Sequence, residues 1–144
     1  MNAARAAILY DADCGFCRWA LGWVLRWDRG RCLRPVALQD AEADVLLSEV
    51  EPELRMASWH LVDDDGTVRS GGDVAAPLLE LLPGGGPAAA AVTRAPGLVN
   101  RAYEAVVRGR STLGRPVSAA AKARADALIA ERVDRRARDG TYLE

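Results

Sequence analysis

The chain has 144 residues and a mass of 15.4 kDa, which fits one domain and leaves no room for a second full core. Half of the residues are apolar and 27% are charged, a globular balance that excludes wholesale disorder, collagen and a disulfide-dense mini-protein. A formal net charge of −1 excludes a globally basic nucleic-acid binder.

The charge is unevenly spread: residues 101–144 carry ten basic and six acidic side chains. That basic tail reads as a solvated helix face, with an acidic partner or lipid head groups as the alternative. The early apolar run, Ala6 to Tyr10, is too short for a signal-peptide core, and nothing approaches the roughly 20 apolar residues of a spanning helix. The expected compartment is the cytosol, where stable disulfides are rare. Cys14, Cys17 and Cys32 are therefore read as redox, metal or packing residues rather than as a framework.

Residues 6–11 read as a short buried strand, apolar on both faces. Residues 14–28 read as a helix whose polar positions, Arg18, Gly22 and Arg26, recur every four and form one narrow stripe. Gly22 is costly inside a helix by about 1 kcal/mol, so a close approach is expected there. Trp19, Trp23 and Trp27 make a second stripe, read as core packing, with a partner-docking patch as the alternative. Residues 32–38 read as a second strand, and Pro35 places it at a sheet edge. A short helix is expected over 40–49 with Asp40 as N-cap, then a strand over 57–62. The Asp63-Asp64-Asp65-Gly66 turn leads to a fourth strand near 67–69 and a helix over 73–82.

Gly84, Gly85 and Gly86 then break the chain. Beyond them the apolar spacing is helical around residues 98–107, interrupted by Gly109 and Gly114. A last, alanine-rich helix runs from Ser118 to about Arg138 with a thin apolar face of Leu128, Ile129 and Val133. The order β-α-β-α-β-β-α gives a small mixed sheet covered by helices, residues 1–83, followed by a helical extension over 84–144, packed on that core or trailing from it.

The strongest functional signal is Cys14-Gly15-Phe16-Cys17, where the first strand passes into the first helix. Two cysteines three apart in a first helical turn bring their sulfurs within disulfide reach. Free backbone N–H groups and the positive end of the helix dipole favour a thiolate there, the attacking species in disulfide exchange. Cys14, nearer the helix start, is the expected nucleophile, and Cys17, one turn inside, resolves the mixed disulfide. Asp13 is a candidate N-cap. Asp11 is a candidate acceptor for the Cys17 proton, or else a turn residue. The negative charge of these two acids opposes a thiolate, which predicts a Cys14 less acidified than a bare helix start would make it and a pair that leans reducing, as an electron donor.

The stretch Leu9-Tyr10-Asp11-Ala12-Asp13-Cys14-Gly15-Phe16-Cys17 resembles the signature of the DCC family (DUF393) of thiol-disulfide oxidoreductases, named for an Asp-Cys-Cys pattern that falls here on Asp11, Cys14 and Cys17. Looser likenesses continue in Asp65-Gly66, in the helix from Asp73, and in Asn100-Arg101-Ala102-Tyr103 through Arg108 and Arg110, spanning roughly residues 6–115. The resemblance implies a thioredoxin-like fold and disulfide exchange with protein or small-molecule thiols, without a bound cofactor or metal. One departure stands out. Thioredoxins place a cis-proline before the strand facing the cysteines, whereas Met56-Ala57-Ser58-Trp59 stands here.

Three other constellations remain open in the sequence. Cys32 and His60 could complete a zinc site with the pair, against a packing role for each. Asp11 and Asp13 with Asp63 and Asp64 resemble the acidic motifs of haloacid-dehalogenase phosphatases, although the sole lysine, Lys122, lies far downstream. The third is a non-catalytic binding or redox-sensing module. No phosphate-cradling glycine loop is present.

Overall fold

The apolar run at the front of the chain forms β1 (Ala6–Tyr10), and all five residues are buried. In the computed structural model, which describes residues 5–140, it is followed by α1 (Gly15–Trp27), β2 (Leu33–Ala37), α2 (Ala41–Leu46), α3 (Pro52–Ala57), β3 (His60–Asp63) and β4 (Val68–Ser70). A 3-10 turn over Gly71–Val74 then leads into α4 (Ala75–Leu81), α5 (Gly86–Arg94), α6 (Pro96–Leu113) and α7 (Ala119–Gly140). The outer ends of the two expected units, 1–4 and 141–144, lie outside the described residues.

The sheet order is β2-β1-β3-β4. β1 runs parallel to β2 and antiparallel to β3, and β4 runs antiparallel to β3. This is a thioredoxin-like α/β fold with a helical C-terminal part. Pro35 sits on an edge strand as expected, because a residue without an N–H serves a strand that pairs on one side only. Gly66 takes φ +87° in the hairpin between β3 and β4, a conformation that favours glycine.

The alternation along β1 divides the core. Ile8 and Tyr10 pack with Leu21 and Leu25 of α1, Leu61 of β3 and Ile129 of α7. Leu9 turns the other way, towards Val36, Ala43, Leu47 and Val62. Ile8, Leu9, Leu21 and Leu61 are wholly buried, each worth about 1.5–3 kcal/mol of transfer free energy.

Three expectations need correction. The third strand begins at His60 rather than at residue 57, because Pro52 starts a short helix that runs through Ala57. Gly109 does not interrupt α6; the helix ends at Gly114. The tryptophan stripe is not core: Trp23 is 56% exposed and Trp27 42%, with the Trp27 indole N–H donating to the Pro83 carbonyl at 2.8 Å.

The part of the polar stripe of α1 formed by Arg18 and Gly22 is instead the face that α7 covers, while Arg26 is exposed and lies over the Trp23 ring. Arg18 meets Asp126 at 3.4 Å. A Cβ on Gly22 would stand 2.6 Å from the Ala125 methyl, so glycine there permits the helices to touch. Past the end of α1, the wholly buried Asp28 accepts from the Cys32 and Leu33 amides at 2.9 and 3.0 Å. Arg132 of α7 reaches the same carboxylate at 2.9 Å and donates to the Leu25, Asp28 and Leu33 carbonyls. α7 is thus pinned along α1 by small residues and a buried ion pair.

Candidate functional site

The chain leaves β1 at Asp11, whose Oδ1 accepts from the Asp13 amide at 3.0 Å, the hydrogen bond of an Asx turn. The parallel pairing of β1 and β2 brings the ends of both strands together, with the Leu38 amide donating to the Tyr10 carbonyl at 2.8 Å. Gln39, just past β2, therefore reaches the turn. Its Oε1 accepts from the Ala12 amide, and its Nε2 donates to Asp11 at 2.8 Å and to Asp13 at 3.3 Å. Arg110 of α6 approaches the other Asp11 oxygen at 3.7 Å, and that carboxylate is largely shielded from water.

Cys14, in extended conformation at φ −97°, is itself the N-cap of α1, and its Sγ accepts from the Cys17 amide at 3.3 Å. This corrects the expectation for Asp13. Asp13 stands one residue too early to cap, and Gln39 holds its carboxylate. Cys14 is half-buried and Cys17 is buried, only 6% exposed. Burial pushes the Cys17 thiol up to about 12, reinforced by its hydrogen bond to the Cys14 sulfur and by the charge of Cys14. The Trp59 side chain and the Arg110 charge pull the other way.

The two sulfurs border different spaces. Cys17 lines an almost wholly apolar cavity of about 260 Å³ with Phe16, Trp59, Tyr103, Asp11 and Arg110 on its walls. Cys14 opens on a polar groove of about 360 Å³ bordered by Asp13, Arg110, Arg115 and Lys122. From sequence only the acids beside the cysteines were visible; the structure sets three cations among them.

Opposite the pair, the segment entering β3 carries no proline, and every described peptide bond is trans. The Trp59 amide donates to the Tyr103 hydroxyl at 2.8 Å, and the Trp59 carbonyl accepts from the Gly71 amide at 3.1 Å. Both backbone groups are thus satisfied within the chain. Gly71 makes its turn at φ +61° with the Tyr103 ring beside it.

The other candidates are dispersed. In the antiparallel register Asp63 pairs with Ala6, so it lies at the opposite end of β1 from Asp11, and it is bound to Arg69 at 2.6 Å. The phosphatase-like acids therefore do not form one site. Cys32 also lies at the far end of β1, since Leu33 pairs with Ala6, a strand length of about 16 Å from the pair. It is half-buried just before β2, rather than packed within the strand. His60 pairs with Leu9 and so shares its face, away from α1. Its Nε2 donates to the Arg55 carbonyl at 2.9 Å, and its Nδ1 is hydrogen-bonded with the Ser70 hydroxyl at 2.6 Å. Burial lowers its pKa.

Sequence reasoning missed Gln39, Arg115 and Lys122 as site residues, and it placed Trp59 near the cysteines only through the comparison with thioredoxins. A signal for Gln39 existed: in a β-α-β unit, residues just past two parallel strands become neighbours. Tyr103 and Arg110 had entered only through the family resemblance, without a role.

A cysteine pair on the first turn of the helix after β1, in a thioredoxin-like fold, defines a thiol-redox class of protein. The family model for DCC1-like thiol-disulfide oxidoreductase matches residues 8–116, most of the chain, and the protein belongs to that family. No curated protein and no solved structure matches the chain significantly. Among the described residues, no helix is long and apolar enough to cross a membrane.

Proposed function

We propose that the protein carries out reversible dithiol–disulfide exchange through Cys14 and Cys17. The observation that carries this reading is the pair itself: Cys14 caps α1 with its sulfur 3.3 Å from the Cys17 amide, reachable from a groove, while Cys17 is buried behind it.

In the oxidising direction Cys14 attacks a disulfide sulfur. The substrate S–S bond breaks, one thiolate leaves, and a mixed disulfide remains on Cys14. Cys17 then gives up its proton and attacks the Cys14 sulfur, forming the internal disulfide and releasing the second thiolate. A thiol held near 12 requires a nearby proton acceptor. Asp11, on the wall of the same cavity, is assigned that task. No bound cofactor is needed. Electrons come from another thiol system, in keeping with a cytosolic setting.

Single cysteine variants test the reading. Cys14→Ser is expected to abolish turnover with a small disulfide, and Cys17→Ser to accumulate a mixed disulfide on Cys14 visible by mass spectrometry. If both variants exchange disulfides at the parental rate, the pair is structural and the binding-module reading replaces this one.

A further inference from the structure

Resting on the oxidoreductase reading, we propose that the molecule exchanged at Cys14 is a low-molecular-weight thiol, or its disulfide, bearing carboxylate groups that Lys122 and Arg115 hold in the groove. Three observations converge. The groove beside Cys14, at about 360 Å³, is in the size range of small-molecule sites. Its charges are unequally committed. Arg110 faces Asp11, and Asp13 takes a hydrogen bond from Gln39, whereas Arg115 and Lys122 have no ionic partner among the described residues. The Lys122 ammonium also overhangs the start of α1, where an atom at the Cβ position of Gly15 would lie 3.5 Å from Nζ. Two unpaired cations at the lip of the nucleophile's groove match carboxylates, so a thiol that carries carboxylate groups suits the site.

The third observation argues against an extended protein segment. A peptide laid across such a site would pair with the backbone facing the cysteines. Here the Trp59 amide and carbonyl are already bonded to Tyr103 and Gly71. Lys122 also lies beyond the family match, which ends at residue 116, so this charge is contributed by the chain's own last helix.

The step balances as two successive exchanges. The substrate disulfide gains two electrons and leaves as two thiols, the cysteine pair loses two electrons, and the two cysteine protons end on the products.

The test follows oxidation of the reduced full-length chain by oxidised glutathione (anionic), bis(2-hydroxyethyl) disulfide (neutral) and cystamine (cationic). In Lys122→Glu and Arg115→Glu the anionic-to-neutral rate ratio is expected to fall about tenfold at low salt, and the fall to shrink near about 0.5 M salt. Lys122→Gln should give an intermediate ratio, and circular dichroism identifies any variant that fails to fold. Arg94→Glu, on α5 and outside the groove, should leave the ratio as in the parent. A ratio unchanged in both charge reversals overturns the proposal, as does faster oxidation by the disulfides of insulin than by any of the three small probes. If no disulfide of either kind oxidises the pair, the oxidoreductase reading itself is wrong.

Discussion

The two cysteines differ in what limits them. Cys14 stands half-exposed at the helix start, while Cys17 is buried and pushed up to about 12. At neutral pH only about one Cys17 in 10⁵ is then a thiolate. Iodoacetamide is therefore expected to modify Cys14 well before Cys17, and the Cys17 rate to climb about tenfold per pH unit from about 7 to 10 without levelling. A plateau below pH 9, read by peptide mass spectrometry, would contradict the assigned environment. His60 supplies a second residue-scale prediction. Its pKa is lowered by burial, so between its folded value and the free value near 6.5 the folded chain binds fewer protons than the unfolded one. Stability is thus expected to fall as pH drops below about 6.5. As the sole histidine, His60 should show an NMR titration below that value. A midpoint at or above 6.5 would contradict the buried ring. The cysteine pair was legible because its spacing and its place after a strand are local. The cap was read one residue early, since Asp13 and Cys14 are adjacent and only Gln39, 26 residues from Asp13, decides which one turns inward.

Among the elements, α7 was the least legible. Its apolar face is thin, and hydrophobic periodicity gave no reason for it to dock. It docks by other means: the Gly22–Ala125 contact needs small residues, and Arg132 threads its guanidinium to Asp28 and three carbonyls. The partners lie about 100 residues apart, so no window of sequence contains both. Arg132→Ala leaves the wholly buried Asp28 carboxylate without its cation and is expected to cost about 3–5 kcal/mol in urea unfolding. A loss under about 1 kcal/mol would show that the pair does not secure the helix. The short helix α3 was overlooked for a different reason. The strand-like run around Trp59 drew the strand boundary back to residue 57, although Pro52 is a residue type that starts helices.

Over the whole molecule, the mixed sheet was legible because a crossover helix makes β1 and β2 parallel and a tight turn makes β3 and β4 antiparallel, whereas the antiparallel β1–β3 pairing across two short helices was not. The topology then gathers the Asp11–Cys17 segment, Gln39 and Trp59 at one end of the sheet, while sending Asp63 and Cys32 to the other. α6 closes that end with Tyr103 and Arg110, and α7 adds Lys122. The two cavities could not be read in advance, since each is walled by residues from at least three separate stretches of chain. Everything functional rests on Cys14 and Cys17 forming one reversible disulfide. The direct measurement is to oxidise the fully reduced protein with one equivalent of a small disulfide, alkylate the remaining thiols and map the bonds by mass spectrometry. The expected result is a single Cys14–Cys17 bond, with Cys32 alkylated and the dithiol restored by dithiothreitol. A disulfide that includes Cys32, or a mixed disulfide that persists on Cys14 while Cys17 stays free, would contradict it.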